Sequence, residues 1–270
     1  MRLSISNIAW DSPLDAHVAE LLLQLGVTTI DVAPGKYFPD PIQASEKDIE
    51  TVRQWWADRG ITIYGMQSLL FGTTGLNVFG NADSQNAMLK HLKAVCRIAE
   101  GLGVKRLVFG SPRNRDRTGL TDEQAQCLAL EFFNRLGAIA TNHGVVIAIE
   151  PNPTCYGTNW ITTTEDAFKF VTMLGNPGIA MQLDTGTVLI NEEASSVVHK
   201  VSGAVGHVHI SEPKLVPVGD NPLMHAPLVK PIQTLGVDVL TIEMVTQGAT
   251  NTLKTIERSI KSIQTIYQLI

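Results

Sequence analysis

The chain is short of charge, of cysteine and of long apolar runs, and each shortage excludes something. Only 17% of its 270 residues are charged, against about 25% in an average soluble domain, while 44% are hydrophobic. That balance excludes a disordered chain, a coiled coil and a collagen-like fibre, and it supplies apolar side chains for a large core. Twenty-one Lys and Arg against 26 Asp and Glu leave a net charge of −5. No global basic field attracts a phosphate backbone, so nucleic acid is not an expected partner. No stretch approaches the ~18 uninterrupted apolar residues of a membrane helix, and no membrane association is expected. Residues 1–6 read as a short strand without the apolar run or cleavage site of a signal peptide. The cysteines, Cys96, Cys127 and Cys155, are odd in number and far apart. They read as free thiols packed inside a cytoplasmic protein. No G-x-x-x-x-G-K and no G-x-S-x-G occurs, and Gly101-x-Gly103 follows a helical pattern instead of a strand, the reverse of a dinucleotide fingerprint.

What is present is a regular alternation. Short β-branched or apolar runs recur at 3–8, 28–32, 61–66, 105–109, 145–150, 179–183, 206–210 and 239–243. Near-continuous apolar runs of this length suit parallel strands buried on both faces. Helical patterns fill the gaps. Ser12-Pro13 reads as an N-cap with Pro at the first helical position, followed by Val18, Leu21, Leu22 and Leu25 on one face. Ser45 opens a second helix striped by Ile49, Val52 and Trp56, and Leu89, Leu92, Val95 and Cys96 mark a third. Thr121-x-x-Gln124 and Thr162-x-x-Glu165 spell capping boxes. The last helix carries Leu253, Ile256, Ile260, Ile263, Ile266, Tyr267 and Ile270. Residues 192–202 and 225–235 carry weaker helical patterns. Eight βα units of about 34 residues, with no linker between them, predict one α/β domain over 1–270, a single (β/α)8 TIM barrel. A doubly wound sheet is the alternative.

In such a barrel, chemistry belongs at the C-terminal ends of the strands. Strand five ends in Glu150, strand six runs into Asp184, strand seven holds His207 and His209, and strand eight ends in Glu243. The steps from Glu150 to Asp184, His209 and Glu243 are 34, 25 and 34 residues, about one unit each. Residues two apart share a strand face, so Ala148 and Glu150 point inward while Ile147 and Ile149 meet the helices. Two glutamates, an aspartate and a histidine converging inside a barrel repel one another as bare charges, and a divalent cation resolves the conflict. Carboxylates with one imidazole suit Mn²⁺, Co²⁺, Mg²⁺ or Zn²⁺ without choosing among them.

The segments IAIEPNP (147–153), QLDTG (182–186), GHVHISEP (206–213) and TIEM (241–244) resemble the sugar phosphate isomerase/epimerase group of the xylose isomerase-like barrels. The pattern is that of the ketose 3-epimerases of the D-tagatose and D-psicose type. The resemblance implies Glu150, Asp184, His209 and Glu243 as ligands of one divalent metal, with Glu150 and Glu243 doubling as the acid/base pair. It also implies a small-molecule carbohydrate partner and a homodimer or homotetramer. The chemistry agrees: a proton leaves carbon next to a carbonyl, a metal stabilises the developing enediolate, and two carboxylates exchange the proton. Two departures stand out. Thr187 occupies the place of a family His, and Leu215, with Lys214 beside it, the place of a family Arg.

Replacement contacts for substrate are sought in the loops. Arg113, Arg115 and Arg117 follow strand four, and a guanidinium fork suits a phosphate or carboxylate, with Arg115 the first candidate. Asn152, His207, Lys36 and His225 are further candidates for holding substrate, and Asn152, Tyr156 and Trp160 either bond to or stack on a sugar or play structural loop roles. His17, His91, His143 and His199 fall on helices and read as surface or capping groups. The expected function is a metal-dependent isomerase or epimerase of a sugar or sugar derivative, phosphorylated and acidic ones included. The alternatives are a metal-dependent dehydratase of a keto-inositol or dehydroshikimate-like compound, a DNA-repair endonuclease, which would need more inward histidines and a basic face, and a metal-free binding barrel.

Overall fold

A computed structural model describes residues 1–247 and 250–269. Eight parallel strands close into a barrel, each bonded to its neighbour in sequence and the first to the last. They are β1 (Arg2–Ser6), β2 (Thr29–Val32), β3 (Thr62–Met66), β4 (Arg106–Phe109), β5 (Val146–Ile149), β6 (Ile179–Asp184), β7 (Val205–Ile210) and β8 (Val239–Ile242). The eight predicted strands are all present, and the fold is a (β/α)8 TIM barrel. The predicted 3–8 run stops at Ser6, whose hydroxyl caps a short turn over Asn7–Ala9.

Side chains sort by strand parity. Leu3 and Ile5, Ile30 and Val32, Ile147 and Ile149, Met181 and Leu183, Val208 and Ile210, and Leu240 and Ile242 belong to the apolar layer under the helices. Their alternates Ser4, Thr29, Asp31, Gln182, His207, His209 and Thr241 are buried too, on the opposite, inward face. The barrel therefore has an apolar sheath and a polar lumen, and the lumen must satisfy itself internally.

The helices are α1 (Asp15–Gln24), α2 (Glu46–Ala57), α3 (Ala82–Leu102), α4 (Asp122–Asn142), α5 (Thr164–Leu174), α6 (Thr185–Ile190), α7 (Val197–Val201), α8 (Pro222–Gln233) and α9 (Thr252–Tyr267). Ser45 caps α2 and Thr121 caps α4, each in a capping box. On α5 the box is shifted one residue from the predicted Thr162–Glu165 to Thr163–Asp166. The shorter Asp166 reaches back to the Thr163 amide, while Glu165 turns out to pair with Lys169 and Lys200. Pro13 sits in a 3-10 turn, Ser12–Leu14, and not at the start of α1. Asp15, which opens α1, is buried instead, accepting from the Trp10 indole at 2.7 Å and the Tyr37 hydroxyl at 2.9 Å. Within 192–202 only Val197–Val201 and a following turn are helical, and α6 begins immediately after β6. On α9, Ile256, Ile260, Ile263 and Tyr267 are buried; Ile270 lies outside the described residues. Cys96 is buried, but Cys127 and Cys155 are exposed: the α4 stripe turns Ala125 and Ala129 inward instead of Cys127, and Cys155 lies in the 3-10 turn Thr154–Tyr156. Among the described residues no helix is long and apolar enough to cross a membrane.

The sheath holds a cluster of aromatic rings around Phe133. Its ring stacks on Trp160 at 5.6 Å and meets Phe109, Phe132 and Phe170 edge-on at 5.3 to 5.5 Å. Trp160 is thereby committed to the core and is not free to stack on a sugar. Phe133→Ala should cost about 3–5 kcal/mol, read as a lowered urea midpoint; a loss below ~1 kcal/mol would contradict this packing.

Candidate metal centre

The strand ends bring Glu150, Asp184, His209 and Glu243 together so that one ligand atom from each lies within 4.8 Å of the others. Register explains the convergence: Asp184 pairs with His209 across β6 and β7, and the Glu243 amide bonds to the Ile210 carbonyl at 3.0 Å. His209 turns Nδ1 toward the acids, 3.2 Å from Glu243 and 3.6 Å from Glu150.

Each carboxylate is held by neighbouring donors, and that of Glu150 keeps one oxygen without one. Asn152 Nδ2 donates to Glu150 Oε2 at 3.0 Å, while Glu150 Oε1 is buried without a donor. Ser211 Oγ donates to Asp184 Oδ1 at 2.5 Å, and the amide and hydroxyl of Thr187 donate to Oδ2 at 2.8 and 3.1 Å. Gln67 Nε2 donates to Glu243 Oε1 at 2.6 Å. Gly110 lets Glu150 come close to β4, since a Cβ there would collide with Oε2. Three acids around one imidazole, with an orphaned carboxylate oxygen at the centre, are a donor set that fits a divalent cation.

Protonation reflects the crowding. Burial and the charges of Glu150 and Glu243 push Asp184 up to about 7. Burial works against the imidazolium of His209, but Glu243, Asp31 and Glu150 hold it well above its ordinary value. Glu150 stays below the usual range despite burial, because His209, Asn152 and Arg115 favour its charged form.

Above the acids opens a cavity of about 320 Å³, reached by Gln67, Ser68, Ser111, Asn152, Tyr156 and Leu215. Ser68, Ser111 and Leu215 hold φ at 55°, 27° and 55°, backbone strain of the kind that collects at working sites. A larger depression of about 530 Å³ around Arg117–Glu123 is an open surface hollow holding none of the four converging residues.

The candidate substrate residues part company here. Asn152 lines the cavity; Arg115, His207, Lys36 and His225 do not. Arg115 is fully buried, donating to the Glu150 carbonyl at 2.8 Å and to Asn152 Oδ1. It cannot present a fork to a phosphate, because the side chain is fully buried and its two terminal nitrogens are turned to the Glu150 carbonyl and Asn152. Burial lowers its pKa to about 10 against the pull of Glu150. Arg117 is engaged by Asp122 and Asn159. Lys36 bonds the carbonyls of Asn7, at 2.6 Å, and Trp10. His225 lies on α8, 3.2 Å from the Tyr267 hydroxyl and 3.3 Å from Glu212. His207 bonds Asp31 in the lumen at 2.6 Å. Tyr156 lines the cavity and accepts from the Lys214 amide at 2.8 Å. Gln67, Ser211 and Asp31 escaped the sequence reading; only Asp31 left a signal, an acid at inward parity between Ile30 and Val32.

A sequence model of the family described as Xylose isomerase-like TIM barrel matches residues 19–266. No curated protein sequence matches significantly. Among solved structures, a D-psicose 3-epimerase from Clostridium cellulolyticum H10 superposes with a TM-score of 0.80 at 16% identity, over 100% of this chain and 99% of its own. The 3-keto-D-glucoside 4-epimerase YcjR from E. coli gives 0.79 at 15%, over 98% and 99%. The IOLI protein with a zinc atom gives 0.76 at 17%, over 99% and 98%. At these identities the likeness is one of fold.

Two outcomes follow for the metal-free protein. Arg115→Met leaves the Glu150 carbonyl and Asn152 Oδ1 without donors and should cost about 2–5 kcal/mol, measured by urea unfolding; an unchanged midpoint would show these bonds to be dispensable. Asp184 is protonated in the fold up to about 7 but ionises near 3.8 when unfolded. The fold thus binds the extra proton between those values, and this contribution falls as pH rises through the window. A divalent cation held by these residues would take the proton's place, so added Mn²⁺ should raise the melting temperature more at about pH 8 than at about pH 5. Equal gains at both would contradict it.

Proposed function

The chain belongs to the Xylose isomerase-like TIM barrel family, and from that premise we propose that it is a divalent-metal-dependent isomerase or epimerase of an uncharged sugar or sugar derivative. The observation that carries this reading is the pair Glu150 and Glu243, flanking His209 at the floor of a cavity large enough for a monosaccharide. A divalent cation, when bound by Glu150, Asp184, His209 and Glu243, supplies positive charge for the oxygen that becomes negative as a proton leaves the adjacent carbon.

The chain's own groups do the rest. One glutamate removes the proton beside the carbonyl, and the other returns one to the opposite face for an epimer or to the neighbouring carbon for an isomer. Asn152 and Gln67 each hold one carboxylate oxygen of the pair, which fixes the orientation of both groups. Tyr156 and the rim serines offer hydrogen bonds to hydroxyls.

Charge selects the substrate class. Among the described residues the lining contains three carboxylates and no Lys or Arg, so even a bound divalent cation would leave it net negative, and a phosphate or sugar acid would find no guanidinium or ammonium partner. The arginine sought for an anion is underneath the site instead. The sugar epimerases that share the fold are named for uncharged sugars, which supports the same choice, and the zinc of the IOLI protein supports a metal centre. Zn²⁺, Mn²⁺, Co²⁺ and Mg²⁺ are all compatible with the donor set.

The test incubates the protein in deuterated water with each cation and a panel of ketoses, keto-glycosides, their phosphates and sugar acids. Deuterium should enter neutral substrates at the carbon next to the carbonyl, with no loss of water from the product. Glu150→Gln and Glu243→Gln should each slow exchange by about 100- to 10,000-fold. Full exchange in either variant would remove that residue from the acid/base pair, and exchange confined to phosphates or acids would refute the charge argument.

A further inference from the structure

Beneath the four converging residues lies a second buried group that the proposed chemistry does not use. Asp31, on β2, is fully buried in the lumen, and so are His207 and His209. His207 Nε2 stands 2.6 Å from Asp31 Oδ2. His209 Nε2 stands 3.7 Å from the same oxygen, on the ring edge opposite the one that meets Glu150 and Glu243. Two polar atoms remain unpartnered there, Asp31 Oδ1 and His209 Nε2. The space for the carboxylate is made by Gly65 of β3, where a Cβ would come within 2.5 Å of it.

We propose that Asp31 is a positioning residue for His209: its carboxylate, steadied by His207, holds the proton of His209 on Nε2 and so presents Nδ1 bare to the metal. The inference rests on the metal-site reading of Glu150, Asp184, His209 and Glu243. A neutral imidazole carries one proton on one of two nitrogens, and the hydrogen bond made by the far nitrogen decides which. A carboxylate behind a ligating histidine also raises its basicity and fixes its ring plane. His209 Nε2, itself without a partner, is separated from the Asp31 carboxylate by a 3.7 Å gap that a small ring rotation closes. Burial of an acid next to an imidazole that lacks a partner is costly unless the two act together. His207 has a different part: it satisfies one carboxylate oxygen from the β7 side, and its ring meets that of His209 edge-on at 5.2 Å, which limits the tilt of both.

The experiment uses the full chain loaded with Co²⁺ and with Zn²⁺. Asp31→Asn, which keeps volume and removes charge, should weaken Co²⁺ affinity by roughly 10- to 100-fold in a chelator competition and alter the visible ligand-field spectrum of the bound ion. Wild-type protein labelled with ¹⁵N-histidine and loaded with Zn²⁺ should show His209 protonated at Nε2 and bare at Nδ1. This second measurement needs no variant, so it decides the matter even where Asp31→Asn fails to fold. Wild-type affinity and spectrum in Asp31→Asn would overturn the inference, and so would a proton on His209 Nδ1 in the loaded protein. Tight binding of a second Co²⁺ equivalent that Asp31→Asn abolishes would also overturn it, making the trio a cation site in its own right. If the wild type binds no cation at all, the metal-site reading itself falls, an outcome distinct from the other three.

Discussion

Three carboxylates share one buried spot, and most of the local structure answers that fact. Two like charges roughly 4 Å apart repel by about 4 kcal/mol at the effective dielectric of a protein. A single charge-assisted hydrogen bond returns about 1.5–3 kcal/mol. The donors around the site, Gln67, Ser211, Thr187 and Asn152, therefore aim the acids but cannot by themselves cancel their mutual repulsion. Something positive must enter. In the metal-free protein that is the proton that burial and neighbouring charge keep on Asp184, together with the imidazolium of His209. A divalent cation does the same work with two charges at a single point.

The barrel makes such crowding tolerable by separating its two faces. Period-two alternation sends Ile, Leu and Val outward to the helices and Ser, Thr, Gln, Asp and His inward. The sheath supplies the hydrophobic stabilisation, so the lumen is free to be polar. Polar side chains there bond one another and the backbone, as Thr29 does to the Leu3 carbonyl at 3.0 Å. The Asp31–His207 pair sits in that lumen below Glu150, Asp184, His209 and Glu243, and strained turns at Ser68, Ser111 and Leu215 sit above them. The site is thus bounded by ordered charge below and by irregular backbone around its mouth.

Strand parity made the barrel, its eight strands and the convergence of Glu150, Asp184, His209 and Glu243 legible in the sequence, because period two and one acid or imidazole at the end of each of the last four strands are local signals. What escaped it depends on three-dimensional partners. The arginine-bearing segment 113–117 reads as an exposed anion loop, yet Arg115 turns inward because a carbonyl and an amide oxygen await it there. Trp160 reads as a stacking platform and is claimed by Phe133, Phe79 and Phe170. His225 reads as a loop ligand and is claimed by Tyr267 and Glu212. Gln67 carries no pattern at all; its role appears only when β3 and β8 are set on opposite sides of one cavity. The capping box of α5 moved by one residue for a simpler reason, since Thr162 and Thr163 both qualify and the side-chain length of the acid three residues on decides.

The position of Arg115 ties these threads together. Had it reached the cavity, the centre would hold an extra positive charge suited to an anionic substrate. Placed behind Asn152, it orients an amide whose NH₂ group then points at Glu150. The same charge therefore works on the protein's acid and not on the ligand. Glu150 is held in its ionised form by an imidazole in front and by an amide and guanidinium behind, whereas Glu243 answers to Gln67 and His209. The two glutamates of the proposed pair are chemically alike but not alike in support. That asymmetry sets the two apart: a carboxylate kept charged on the β5 side, and one on the β8 side secured by one neutral donor.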